Sequence, residues 1–405
     1  MKNNSMFKYA AWADTLRPSI MQKMLERTTL PAKFSFALGL PDAELFPVKE
    51  YKNSMDNLTN LTSKSFQYSP PMSSLKKHVV QLMASKHVEC DEEEIFITGG
   101  AQQAICLLSR LLLEEGGILS TTSMTYPGFL QVVTPSQPNI IGIPIKPKEG
   151  LCLDTLESVM SNSQDKPAFF YIVADGNNPL GTNLNEAQKK YLADLSRKYH
   201  VPVIEDDAYG FLNYGEPTRP IRSYENQWVF YIGSFSKILS PAFRIGWIIA
   251  PRELIPKLSF IKEATDINTV SFGCRIVDDL LSRGVVSSHL EKLRDVYKKK
   301  RDAMLKALSI NFPKSAKITI PNNGFFIWVE LEEDINTTEL LHQALEYEIT
   351  FVPSEEFACN SFSKTFNGMR LNFTNSDLPT IAEGIKILGL LIKNFKIKQK
   401  HFEQS

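Results

Sequence analysis

The chain has no net charge to offer a partner: 45 lysines and arginines balance 45 aspartates and glutamates. That balance argues against a nucleic-acid binder, and against a protein drawn to an anionic membrane by its overall field. Cysteine is scarce, five in 405 residues, odd in number and without a Cys-x-x-Cys pair. A disulfide framework or zinc site is therefore not expected, whereas a reducing, cytoplasmic setting is. No apolar run reaches the ~18 residues of a membrane-spanning helix. The opening MKNNSMFKYAAWAD also lacks the apolar core of a secretory signal. Six histidines show no metal spacing, so no metal is expected and none of them is assigned catalytic work. Internal repeats, low-complexity tracts and heptads are missing too.

What is present is the composition of an ordinary globular protein, 43% apolar and 22% charged. The length suits roughly two domains of about 100–200 residues each. Through the middle of the chain, apolar runs of strand length alternate with helical patterns. AFFYIV (168–173), VPVI (201–204) and WVFYI (228–232) read as strands, and 187–200 reads as a helix with Tyr191, Leu192 and Leu195 on one face. This cadence predicts an α/β fold, a mostly parallel sheet covered by helices on both sides. Later segments read as a smaller α+β unit: a charged helix over 296–308, strands at 325–331, 350–353 and 369–373, and a closing helix over 377–391. The tail from Lys393 is basic and polar and is expected to fray.

In such sheets a ligand sits outside the carboxyl ends of the strands. Four segments there carry unusual polar chemistry. Thr98-Gly99-Gly100-Ala101-Gln102-Gln103 opens an apolar helix after Ile95-Phe96-Ile97. Asp175-Gly176-Asn177-Asn178-Pro179-Leu180-Gly181 follows AFFYIV. Glu205-Asp206-Asp207-Ala208-Tyr209 follows VPVI. Gly233-Ser234-Phe235-Ser236-Lys237 follows WVFYI, with Pro241-Ala242-Phe243-Arg244 just beyond. Glycine-freed amides at a helix start, two hydroxyls and a guanidinium suit a phosphate. An acid, a tyrosine, an amide and a lysine suit the rest of a pyridinium cofactor.

With these segments in view, the chain resembles a class I/II aminotransferase of fold type I, and within it the subgroup containing 2-aminoadipate and kynurenine aminotransferases. The markers are SFALGLPDAELFP (35–47), QYSPP (67–71), ITGGAQQA (97–104), TYPG (125–128), NNPLG (177–181), EDDAYG (205–210), GSFSKILSPAFRIGW (233–247) and MRLNF (369–373). The resemblance implies an N-terminal arm and substrate lid over 1–48, a large cofactor domain with a seven-stranded sheet over 49–290, and a small domain over 291–405 joined by part of the arm. It implies pyridoxal 5'-phosphate as cofactor, an α-amino acid and a 2-oxo acid as substrates, and a homodimer with shared sites in amino-acid metabolism, biosynthesis included.

The same resemblance implies a role for each residue. Lys237 forms the Schiff base, since only a primary amine yields an imine with the cofactor's aldehyde, and then moves the Cα proton. Asp206, three residues before Tyr209, keeps the ring nitrogen protonated. Tyr209 and Asn178 bind the 3'-oxygen. Ser234, Ser236, Arg244 and the amides around Gly100, Ala101 and Gln102 hold the phosphate, with Tyr68 reaching the neighbouring subunit's phosphate. Tyr126 stacks on the ring, Arg370 clamps the substrate α-carboxylate beside Asn178, and Gly39 lines the substrate entrance. A second Ser-Phe-Ser-Lys, 361–364, lacks the preceding strand and the following arginine, so Lys364 is read as a surface residue.

Four places in the chain depart from the family pattern: Leu180 for threonine, Ala101 for a phosphate-binding serine, Ala242 for glycine, and the pair Ser73-Ser74 where a glycine is common. One lost hydroxyl contact costs about 0.5–1.5 kcal/mol, which a charged arginine and a covalent link outweigh. The drift keeps open an alternative on the same scaffold, elimination, cyclisation or oxidation of an amino acid. A regulator with an aminotransferase-like sensor domain would carry a winged-helix domain of roughly 70 residues; only 34 residues precede SFALGLPD, without a basic recognition helix.

Overall fold

The computed structural model describes residues 7–10, 12–13, 33–58, 67–68, 72–360 and 363–402, with side chains as far as 395. Positions 69–71 of the QYSPP marker lie outside the described residues.

Seven short runs of β-branched, aromatic and small residues form the central sheet. They are β1 (Ile95–Thr98), β2 (Ile118–Thr122), β3 (Asn139–Ile143), β4 (Phe170–Ile172), β5 (Val203–Asp206), β6 (Val229–Ser234) and β7 (Gly246–Ile249). Their spatial order is β1-β7-β6-β5-β4-β2-β3. Only β7 runs antiparallel to its neighbours; every other adjacent pair is parallel. Strands β4 to β7 are buried along their whole length, as expected for a sheet covered on both faces. Because β7 alone reverses, β1 points the same way as β6. Thr98, Asp206 and Ser234 therefore end on one edge of the sheet, and that edge carries the site.

Helix α1 (Ala101–Leu112) follows β1 and buries Ala104, Ile105, Leu107 and Leu108. Helix α2 (Glu186–Tyr199) starts at a capping box, with Asn185 and Gln188 each bonding the other's backbone amide. The charged stretch expected over 296–308 belongs to a much longer helix, α3 (Val285–Asn311), which runs through the 290/291 division. Helix α4 (Leu378–Phe402) packs against α3 and buries Ile381, Ile385, Leu388, Ile392 and Phe395. The expectation of a frayed tail from Lys393 is thus corrected: the helical backbone continues to Phe402, started by a docked apolar stripe.

The smaller sheet comprises β8 (Lys317–Ile318), β9 (Phe326–Glu330), β10 (Val352–Pro353) and β11 (Gly368–Asn372), in the order β8-β9-β11-β10 and antiparallel throughout. Residues Phe34–Ser35 pair in parallel with Ile349–Thr350. The Asn372 amide donates to the Phe36 carbonyl at 2.7 Å, and Lys300 of α3 grips Asp42 at 2.6 Å. Residues 34–42 are therefore stitched to the smaller sheet, which sets Ala37, Leu38 and Gly39 on the wall of a cavity. Among the described residues, no helix is long and apolar enough to cross a membrane, and no group of acids, histidines and cysteines is placed to hold a metal ion.

Candidate active site

The three consecutive acids after VPVI show how the site is assembled. Strand β5 continues to Asp206, so alternation sends neighbouring side chains to opposite faces. All three carboxylates are buried. Glu205 accepts the amides of Ile221 and Arg222 at 2.7 and 2.9 Å, a structural cap. Asp207 pairs with Lys86 and accepts from the Tyr231 hydroxyl. Asp206 alone lines the cavity between the sheets, a space of about 430 Å³. Its Oδ2 accepts from the Tyr171 hydroxyl at 2.7 Å, while its Oδ1 is buried with no hydrogen-bond partner. Burial, partly offset by the Tyr171 hydrogen bond, pushes its carboxyl up to about 6.

Lys237 follows β6, half-buried on the same cavity, and its Nζ donates to the Gly39 carbonyl at 2.7 Å. Desolvation, aided by the positive Arg370 and Arg244, brings its amine down to about 8. A lysine held there is neutral far more often near pH 7.5 than a solvated one, as a nucleophile requires. Gly39 leaves room for this approach: a Cβ on it would meet the Phe326 ring at 2.7 Å.

A cup of amides and hydroxyls lies at the other end. Gly100 caps α1 with a φ of 93°, and a Cβ there would strike the Arg244 guanidinium at 2.7 Å. The first amides of α1, from Ala101 and Gln102, have no acceptor within the helix, and both residues line the cavity. Arg244 sits in the left-handed region (φ 52°) after a turn capped by Ser240 Oγ, which aims its guanidinium back at the Gly99 carbonyl (2.9 Å) and Ser236 Oγ (3.5 Å). The Ser236 amide donates to Ser234 Oγ at 3.1 Å. Tyr126 stands above the cup with its hydroxyl on Gln102, and burial raises that phenol to about 12.

Arg370 closes the opposite wall from β11. It donates to Asn178 Oδ1 and to the Ala37 carbonyl, both at 2.6 Å, leaving Nε without a partner. Its guanidinium lies 4.1 Å over the Phe326 ring and 5.0 Å over Phe357, and desolvation lowers it to about 10, still charged at neutral pH. Tyr209 packs edge-on against Phe325 and Phe326, its phenol raised by burial.

A buried carboxylate with one oxygen unbonded, a lysine of lowered pKa, an anion cup and a second arginine thus share one cavity. Against known families, residues 35–387 match the model described as aminotransferase class I and II. The chain belongs to that family. Aromatic-amino-acid aminotransferase 1 of Thermococcus litoralis is 34% identical, with 93% of this chain and 92% of that protein aligned. A Pyrococcus horikoshii kynurenine aminotransferase structure superposes with a TM-score of 0.89 at 34% identity, covering 95% of this chain and 97% of its own. The α-aminoadipate aminotransferase LysN of Thermus thermophilus, complexed with N-(5'-phosphopyridoxyl)-L-leucine, gives 0.87 at 32% identity, covering 95% and 97%.

This aminotransferase has fold type I, uses pyridoxal 5'-phosphate, and moves an amino group from an α-amino acid to a 2-oxo acid. The expected reaction holds, and nothing favours elimination, cyclisation or oxidation instead. The cavity suits the cofactor: the buried, partnerless Oδ1 of Asp206 is the acceptor that a protonated ring nitrogen needs, and the α1 cup with Arg244 suits a phosphate dianion. Twelve of the sequence-derived site residues line the cavity: Gly39, Ala101, Gln102, Tyr126, Asn178, Asp206, Tyr209, Ser234, Ser236, Lys237, Arg244 and Arg370. Gly100 is not on its wall but lies behind Arg244. Tyr68 is 78% exposed and away from the cavity within one chain. Tyr171 is the functional neighbour that sequence reading passed over, because a tyrosine inside the apolar run AFFYIV looks like core. Its ring is core, stacked on Phe129 at 3.9 Å; only its hydroxyl serves the site.

Proposed function

We propose that Lys237 is the amine that carries the cofactor and moves the substrate's proton, with Asp206 as its electrostatic counterpart. The observation that carries this reading is that Lys237 and Asp206, with its partnerless Oδ1, line a single cavity. When bound, pyridoxal 5'-phosphate supplies an aldehyde to join to amines and a ring that draws electrons from the substrate's Cα.

The residues of the chain do the rest. Asp206 Oδ1 holds the proton on the ring nitrogen, and Tyr171 keeps that carboxylate ionised by donating to its other oxygen. Tyr209 and the amide nitrogen of Asn178 donate to the 3'-oxygen. Ser234, Ser236, Arg244 and the amides at Gly100, Ala101 and Gln102 bind the phosphate, and Tyr126 covers one ring face. Arg370 receives the α-carboxylate, kept in place by Asn178 and the two phenylalanine rings, so the Cα–H bond faces Lys237. Once the substrate's amine has displaced it from the cofactor's aldehyde carbon, the neutral Lys237 Nζ would take the Cα proton and hand it to that aldehyde carbon, and would move a proton the opposite way for the 2-oxo acid. Gly39, whose carbonyl already meets Lys237, lines the entrance on the segment 34–42.

Tyr68, exposed in one chain, suits a homodimer in which it reaches the partner's phosphate. The division into an arm (1–48), a large domain (49–290) and a small domain (291–405) and a cytoplasmic role in amino-acid metabolism, biosynthesis among them, complete the reading; five unpaired cysteines favour a reducing compartment. Mixing the holoenzyme with an amino acid alone tests it. One equivalent of 2-oxo acid per subunit should form while the bound cofactor changes to its amine form, and release of ammonia instead would defeat the reading.

A further inference from the structure

Among the described residues of one subunit, the cavity has no charge to spare for a substrate's side chain. Among the described residues of one subunit, its wall holds four charged side chains: Asp206, Lys237, Arg244 and Arg370. Each already has a task in the proposed function, at the ring nitrogen, the aldehyde, the phosphate and the α-carboxylate. Gln102 has both ends of its side-chain amide committed, to Tyr126 and the Gly128 carbonyl. That leaves exposed Gln131 as the polar side chain without a task.

The remaining wall near Arg370 is apolar. Leu38, Phe326, Val352 and Phe357 are buried and line the cavity. Phe326 and Phe357 flank the guanidinium at 4.1 and 5.0 Å, so a substrate anchored there projects its side chain among rings and branched aliphatics.

From this we infer that the amino-acid substrate carries an uncharged, apolar side chain, aliphatic or aromatic, and not a second carboxylate. A distal carboxylate would give up hydration without gaining a counter-ion from the described residues of this subunit, whereas an apolar side chain is stabilised by leaving water. The inference rests on the reading of Arg370 as the α-carboxylate anchor.

Unreactive acids without an amino group separate binding from turnover. Calorimetry on the holoenzyme should find 3-phenylpropionate and 4-methylpentanoate bound at least about tenfold more tightly than glutarate or adipate. A panel of amino donors should follow the same order, with phenylalanine, leucine and methionine ahead of aspartate, glutamate and 2-aminoadipate in kcat/KM. Gln131→Arg adds a cation at an exposed position of the wall and should narrow the diacid gap several-fold. Diacids that bind as well as monoacids, or a gap that Gln131→Arg leaves unchanged, would overturn the inference. Dicarboxylic donors that win while amine transfer proceeds would remove only the choice of substrate; no transfer from any donor would strike the underlying reading instead.

Discussion

The tetrapeptide Ser-Phe-Ser-Lys occurs twice, at 234–237 and 361–364, and the two lysines have opposite surroundings. Lys237 follows a buried strand, lines a cavity together with two arginines and Asp206, and has its amine brought down to about 8. Lys364 is an exposed partner of Glu355 at 2.8 Å; Ser361 and Phe362 lie outside the described residues. Four identical residues therefore specify no chemistry by themselves. What differs is the preceding strand, buried at every position, and the turn after it that brings Arg244 back to the same edge. Desolvation, not the lysine's local sequence, turns an ordinary ammonium into a usable nucleophile.

Exchanging or removing parts of this contrast gives a graded set of outcomes. Lys237→Ala should lose on the order of 10⁴-fold or more in kcat while still folding and binding cofactor without a covalent link. Arg370→Lys keeps the charge but not the two-pronged geometry held by Asn178 and Ala37. It should cost about 10²-fold in kcat/KM, with cofactor affinity unaltered. Steady-state kinetics beside an absorbance titration of the cofactor checks both.

The depressed amine makes a prediction about pH with a definite sign. In the proposed role only neutral Lys237 attacks the cofactor, and its pKa falls from 10.5 to about 8 through burial and neighbouring positive charge. The rate of cofactor attachment to the cofactor-free protein should rise about tenfold per pH unit below 8 and level off above it. A rise that continued towards 10.5 would mean that the lysine is solvated. A smaller effect is expected from Tyr171→Phe, which removes one hydrogen bond to a charged acceptor, worth about 1.5–3 kcal/mol. Asp206 should then hold the ring nitrogen less well, and the cofactor dissociation constant should rise about tenfold. Smallest of all, Lys364→Ala breaks an exposed ion pair, so activity should be unchanged and stability altered by less than about 0.5 kcal/mol.

Candidate residues straight after a strand were legible in the sequence, because a parallel sheet delivers every strand's end to one edge. Lys237, Asp206, Asn178 and Arg244 were singled out that way and line one cavity, and the central sheet was foreseen from the same alternation. Partnerships between distant segments were not legible. The parallel pairing of Phe34–Ser35 with Ile349–Thr350 joins segments distant in the chain, and the Arg370 bond to Asn178 depends on how the two sheets dock; no local pattern encodes either. Choosing Asp206 over Glu205 and Asp207 needed family spacing. The physical reason appears only in the fold, where the other two acids are taken by backbone amides and by Lys86. Gly210 belongs to that arrangement, since a Cβ there would overlap Asp207 and the Lys86 amine. The polar tail misled because charge on an exposed face masks the apolar stripe at Leu388, Ile392 and Phe395 that keeps α4 docked.

Reduction of the holoenzyme with borohydride, followed by peptide mass mapping, puts the contrast between the two lysines to its most direct trial. The phosphopyridoxyl mass should appear on the peptide containing Lys237, in near-stoichiometric amount, and be missing from the peptide containing Lys364. Label on Lys364, on another lysine, or on none would contradict the account.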